Sequence, residues 1–189
     1  AKMVNFGIVY GITAFGLARR LGVSNAAADE IITNYKRRFS GITTFLHECV
    51  EQARRFGYVE TIMKRRRPIP EIESTNPQRR AFAERTAINS VVQGSAADLI
   101  KLAMVDLHER VAEEFGREPD PGCKEGSACE RPKVRMLLQI HDELVFETPE
   151  DETTDIAALV RTAMERAFPL SVPLTVDLGI GANWKAAKP

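Results

Sequence analysis

The chain has 189 residues, 44% hydrophobic and 28% charged, and its 26 basic and 26 acidic side chains cancel to a formal net charge of zero. Ordinary globular composition of this kind excludes disorder and collagen-like structure, and a chain this long buries roughly 70% of its unfolded surface without a disulfide framework or structural metal. No apolar stretch approaches the roughly 20 residues of a membrane-spanning helix, and no basic-then-apolar signal segment opens the chain.

Ala1 and Lys2 lead straight into KMVNFGIVYG, with no initiator Met, no capping Ser, Thr, Asp or Asn and no leader, so a piece of a longer protein is expected. That segment reads as a helix running to about Tyr10 and stopped by Gly11. A second helix is predicted from Thr13 as cap to about Leu21, closed by Gly22. Ser24 caps a third through about Arg38, broken by Ser40-Gly41, and a fourth runs from Ile42 to Phe56 before Gly57. YVETIM, the basic run after it, Pro68 and Pro70 read as a short hairpin or loop, with a boundary near residues 74–77. Ile88, Val92, Ala96, Leu99, Ala103, Leu107 and Val111 recur at three- and four-residue steps and predict a long helix over about Gln78 to Phe115. The Gly- and Pro-rich stretch from Gly116 to Pro132 reads as a loop. KVRMLLQI, HDE and LVFE then suggest a hairpin around a polar tip, Thr154 to Ala167 a helix, and PLTVDLGIG a closing strand. The fold class is α+β: a helical first part, then a small antiparallel sheet packed on helices.

The zero net charge hides an uneven distribution. Between Lys36 and Arg67 nine basic residues face three acidic ones, while Met136 to Val160 holds seven carboxylates and no Lys or Arg. One site for a polyanion and another for cations is a reasonable reading; solvated helix faces are the plainer one. The three cysteines, Cys49, Cys123 and Cys129, are odd in number and lack metal-ligand spacing, so reduced thiols in a cytoplasmic protein are expected. Pairing of Cys123 with Cys129 is the less favoured alternative.

Three constellations carry chemistry. Lys2, Phe6 and Tyr10 share one helix stripe at four-residue spacing, about 6 Å apart along the axis. An ammonium for phosphates and two flat rings for base and sugar suit a nucleotide. An amphipathic helix burying two aromatics has the same pattern. Arg85, Asn89 and Gln93 form a second ladder of hydrogen-bond donors, able to feel the acceptors of a duplex minor groove without reading sequence, or simply to face water. At the hairpin tip His141-Asp142-Glu143, most such tripeptides are merely wet. Here nearly continuous apolar flanks predict strands covered on both faces, which would hold Asp142 rigidly as a magnesium ligand. Glu143 would be a weaker carboxylate nearby, and His141 a donor to phosphate or sugar.

KMVNFGIVYG resembles the nucleotide-binding helix of the bacterial DNA polymerase I family (family A), and QIHDELVFE its second metal-binding motif. GYVET, the RRR run, ERTAIN, QGSAADLIKLAM and GIGANWKAAK are similar to further segments of that family, in its order, so the resemblance covers most of the chain. The loop from Gly116 to Pro132 is longer than the family pattern. The resemblance implies a C-terminal fingers and palm fragment, with residues 1–75 in the fingers and 76–189 in the palm. It implies a nucleotidyltransferase of DNA replication and repair that uses Mg2+, deoxynucleoside triphosphates and primer-template DNA, in the cytoplasm at the bacterial nucleoid.

Residue by residue, the resemblance implies that Lys2 contacts the incoming triphosphate, Phe6 stacks beside its base and sugar, and Tyr10 packs by the templating base. Phe at position 6 is similar to members that discriminate against nucleotides lacking the 3′-hydroxyl. Arg85, Asn89, Gln93 and Gln139 would contact primer-template, His141 the primer end, and Asp142 the metal ions, with Glu143 beside it. The family's partner Asp lies upstream of Ala1, so the isolated fragment is expected to be inactive, and a sheet left open by that missing strand invites a non-native dimer. A rival reading is a helix-turn-helix transcription factor, because LARRLGVSNAAADEIIT places a tight Gly22-Val23-Ser24 turn between two short helices.

Overall fold

The structure, a computed structural model, describes residues 2–120, 122 and 129–188, apart from the side chain of Lys2. It is α+β and falls into two compact units, Ala1–Ser95 and Ala96–Pro189.

The first unit begins with α1 (Lys2–Val9), α2 (Ala14–Leu21) and α3 (Asn25–Arg38). The punctuation acts as the sequence predicts. Thr13 Oγ1 accepts from the Gly16 N–H at 3.1 Å, Ser24 Oγ accepts from the Ala27 N–H at 3.2 Å, and Gly22 closes α2 in the left-handed conformation at φ 69°. Ile8, Leu17, Ala18, Ala28 and Ile32 form a buried cluster that joins the three helices. The break before α4 (Ser40–Phe56) differs from expectation: it falls on Phe39, at φ −119° and ψ 57°, and both Ser40 and Gly41 lie inside α4. The Phe39 ring packs at 4.8 Å from Tyr35. Gly41 stands in the first turn, away from the helix middle where the entropic cost of glycine is greatest.

Strands β1 (Tyr58–Glu60) and β2 (Arg66–Pro68) form the expected short hairpin, antiparallel, with Val59 opposite Arg67. Its turn places Lys64 at φ 64°. A side chain there crowds the following carbonyl, a strain of roughly 1 kcal/mol that Gly avoids at some entropic cost. Lys64→Gly is therefore expected to stabilise the hairpin by about 0.5 kcal/mol, measurable as a raised unfolding midpoint; a lowered midpoint would contradict it. Helix α5 (Pro77–Glu114) starts where Asn76 Oδ1 accepts from the Gln78 N–H at 2.9 Å and where Pro77 has no donor to lose. Its early turns bury Ala83 and Ala87 against Ala53 of α4 and Val59, Ile69 and Ile72 of the hairpin region. Burial, then the charge of Glu48, push the Cys49 thiol up to about 11, so this free cysteine is an inert core residue.

In the second unit the later turns of α5 pack Leu107 and Val111 against Val134 and against Ile156, Leu159, Val160 and Ala163 of α6 (Thr153–Glu165). A single 3-10 turn, Glu150–Glu152, precedes α6. Between these helices the predicted loop contains an antiparallel strand pair, β3 (Arg117–Pro119) with β4 (Glu130–Pro132), tied by the Arg131–Glu118 ion pair at 2.7 Å. Cys129 is disulfide-bonded, against the expectation of reduced thiols. Cys123, weighed as its partner, lies outside the described residues.

Strands β5 (Arg135–Ile140) and β6 (Glu143–Glu147) make the predicted hairpin, with a register irregularity between Met136 and Leu138. The strands are not covered on both faces: Leu137 and Leu138 are 50% and 48% exposed, because only one side of this two-stranded sheet meets the core. The predicted closing strand does not form. Residues 173–181 alternate apolar and polar side chains but pair with no strand among the described residues; Leu178 packs on the core and the Val176 N–H bonds Glu165 Oε1 at 3.1 Å. Alternation supplies the pattern of a strand, yet a strand exists only where a ladder partner is present.

Candidate functional site

Helix α1 turns one face inward and one outward. Val4 and Ile8 pack into the apolar cluster with α2 and α3, which leaves Phe6 47% exposed on another side. Phe6 is therefore not the buried core aromatic that the plainer reading required. Its ring stacks on that of Tyr10, with centroids 6.1 Å apart and planes 14° from parallel. Lys2 starts the same helix, and its side chain lies outside the described residues.

The two polar stripes predicted separately meet at the end of α1. Gln93 Nε2 on α5 donates to the Tyr10 hydroxyl at 2.7 Å. Gly11, at φ 77°, adopts a conformation suited to glycine, and a Cβ there would lie 3.5 Å from the Arg85 stem. Arg85 itself is exposed, and the half-buried Asn89 has its amide oxygen shielded from water with no hydrogen-bond partner among the described residues. A recess of about 340 Å³ lies against Phe6 and Tyr10 and is lined also by Gly7, Gly11, Ile12 and Arg20. Sequence reasoning missed Arg20. The signal available for it was the short turn at Gly11 to Thr13 between α1 and α2.

In the second unit the β5–β6 tip is tighter than predicted, because Glu143 already pairs with Ile140 and only His141 and Asp142 turn the chain. His141 takes φ 54°, in the left-handed region, and its carbonyl accepts from Gln139 Nε2 at 2.5 Å. Asp142 and Glu143 are both exposed. A non-glycine residue held in this conformation stores of order 1 kcal/mol and points to a constrained tip. The carboxylates are hard oxygen donors of the kind magnesium takes, one or two at a time, alongside water and substrate phosphates. Among the described residues no group of three or more His, Cys, Asp or Glu side chains gathers as a metal site. No helix among them is long and apolar enough to cross a membrane.

The family description "DNA polymerase family A" matches residues 1–186. DNA polymerase I of Streptococcus pneumoniae is 47% identical over 188 residues, and those of Lactococcus lactis subsp. cremoris and Bacillus subtilis are 46% and 44% identical. Each alignment covers 100% of this chain and 20% of the relative, so the chain spans about a fifth of the length of the curated relatives it matches. Among solved structures, the POL domain of Pol1 from M. smegmatis in complex with DNA primer-template and dNTP is similar. Its TM-score is 0.84 at 41% identity, covering 98% of this chain and 30% of that one. The helix-turn-helix regulator finds no support: α2 and α3 do form a helical hairpin, but it lies within the span matched to the polymerase family. This chain belongs to DNA polymerase family A.

Proposed function

We propose that the chain supplies the C-terminal fingers, residues 1–75, and the C-terminal part of the palm, residues 76–189, of a cytoplasmic DNA-directed DNA polymerase working on nucleoid DNA. In the complete protein the primer 3′-hydroxyl attacks the α-phosphate of a deoxynucleoside triphosphate; a new P–O bond forms and pyrophosphate leaves. The observation that carries this reading is the solvent-facing Phe6–Tyr10 stack, tied by Gln93 to the donor-bearing face of α5. Flat rings beside fixed donors suit a base and its sugar next to a base-paired duplex.

In this reading Lys2 meets the triphosphate, Phe6 stacks by the incoming base and sugar, and Tyr10 holds the templating position. Arg85, Asn89, Gln93 and Gln139 grip primer-template, and His141 contacts the primer end. Asp142, with Glu143 beside it, would hold magnesium. Magnesium held there would supply, with a second ion, activation of the primer hydroxyl and neutralisation of charge on the leaving pyrophosphate. Holding two ions would take carboxylates from more than one segment. Asp142 supplies one, and the other is assigned to a segment upstream of Ala1.

Primer extension tests this directly. The complete polymerase is expected to incorporate deoxynucleotides on a primer-template with magnesium and to stop when EDTA removes it, and the 189-residue chain alone to incorporate none. Extension by the chain alone would overturn the shared-carboxylate assignment. A complete protein that extends nothing would overturn the polymerase reading itself.

A further inference from the structure

We propose that Tyr35 is a positioning residue for nucleotide binding, acting through Asn5 on the roll of α1; the proposal rests on the polymerase reading above. The Tyr35 hydroxyl on α3 donates to Asn5 Oδ1 on α1, across 30 residues of chain. The ring of Tyr35 is held from behind, packed on the apolar cluster of α1, α2 and α3 and tilted at 48° against Phe39. A fixed ring on a 14-residue helix thus aims its hydroxyl at an 8-residue helix.

The need for such a tie follows from how α1 is otherwise held. Eight residues form a marginal helix by themselves; Gln93 holds the Tyr10 hydroxyl just past the C-terminal end of α1, and within the helix the anchoring through Val4 and Ile8 is apolar contact. Such contact is non-directional and resists a small rotation weakly. A hydrogen bond is directional and resists it. Asn5 is adjacent to Phe6, about 100° around the helix, so fixing Asn5 fixes the direction of the exposed ring. A roll of about 15° carries a ring centred roughly 6 Å from the axis through about 1.5 Å, and misplacement by about 1 Å is enough to harm a reactive geometry.

With the tie removed, α1 samples rolled orientations, and a nucleotide binds the fraction in register. Apparent affinity falls by that fraction, while the chemical step, taken from the correctly seated complex, is unchanged. Tyr35 is a positioning residue in this sense: its effect belongs in KM for the nucleotide and not in kcat.

The experiment is single-nucleotide incorporation by the complete polymerase, titrating the deoxynucleoside triphosphate on a fixed primer-template. Tyr35→Phe keeps the packed ring and loses only the donor; Asn5→Leu keeps the size and loses only the acceptor. Each is expected to raise KM about three- to tenfold, the range for one net hydrogen bond, with kcat and primer-template affinity within about twofold of the parent. The double variant is expected to match either single one, since both remove the same bond. Unchanged KM in both variants of a working polymerase would overturn the assignment of Tyr35 alone. So would additive effects, or parallel losses of kcat and DNA affinity, which mark general loosening of the fold. An unmodified polymerase that incorporates nothing would instead defeat the underlying reading, and this proposal with it.

Discussion

Replacing Asp142 with Ala in the complete polymerase is expected to lower magnesium-dependent incorporation by about 10³-fold or more while leaving primer-template affinity within about threefold. The separation of the two effects comes from where Asp142 lies. It is exposed at the tip of the β5–β6 hairpin, outside the apolar cluster that holds the second unit together. Exposed substitutions of this kind move stability by roughly 0.5 kcal/mol or less, so loss of folding cannot mimic loss of chemistry. Transferring a phosphoryl group requires neutralising charge on its oxygens. A metal-bound carboxylate accounts for several kcal/mol of that, with each 1.36 kcal/mol worth about tenfold in rate. Asp142→Asn, which keeps the shape and removes the charge, is expected to fail as badly as Ala. Glu143→Ala, with its carboxylate beside the proposed metal position, is expected to lose only about tenfold. Single-turnover incorporation and fluorescence anisotropy on labelled primer-template give the two quantities independently. An Asp142→Ala enzyme that keeps a tenth of parental activity would remove Asp142 from the metal role.

What the sequence made legible is what local chemistry decides. Thr13, Ser24, Gly22 and Gly57 mark helix ends because capping geometry involves residues only a few positions apart. The long apolar repeat of α5 is equally local. The same logic fails where two neighbouring candidates compete. Ser40-Gly41 is a strong break signal, yet Phe39 takes the break because its ring finds Tyr35 while Gly41 falls in a tolerant first turn. Strand existence is less legible still. PLTVDLGIG has the alternation and lacks the ladder, whereas the Gly- and Pro-rich segment judged to be loop pairs Glu118 with Arg131. In both cases the deciding fact is a partner elsewhere in the chain.

The candidate site divides along the same line. The Lys2, Phe6, Tyr10 stripe and the Arg85, Asn89, Gln93 ladder are visible from four-residue spacing. That the two meet, through Gln93 and Tyr10, is not visible, because the residues are 83 positions apart. Tyr35 behind Asn5, 30 positions away, is hidden for the same reason. The two-residue tip at His141 and Asp142 is intermediate: the hairpin is readable, while the left-handed backbone of His141 appears only once the register of Ile140 with Glu143 is known.

Gly94→Ala is the second large expectation, and its sign is what makes it informative. An exposed Gly to Ala change inside a helix ordinarily stabilises by about 1 kcal/mol. At Gly94 the added Cβ would stand 2.6 Å from Thr61 Cγ2. That methyl cannot easily retreat. Thr61 is buried, its side chain is branched and stiff, and its Oγ1 accepts from the Arg65 N–H at 3.1 Å. One residue further along, the Ile62 N–H bonds Ser95 Oγ at 2.9 Å, pinning the tip of the basic hairpin to α5 two residues after Gln93. Overpacking of this kind costs about 1–3 kcal/mol, enough to exceed the propensity gain, so Gly94→Ala is expected to destabilise by about 1 kcal/mol net. Thr61→Ser removes the obstructing methyl and keeps the hydroxyl that accepts from Arg65. In that background Gly94→Ala is expected to regain most of what it loses alone, a coupling that thermal unfolding of the four matched variants measures. If Gly94→Ala by itself raises the unfolding temperature, the hairpin does not press on α5 at this point, and the close approach that requires glycine there is absent in solution.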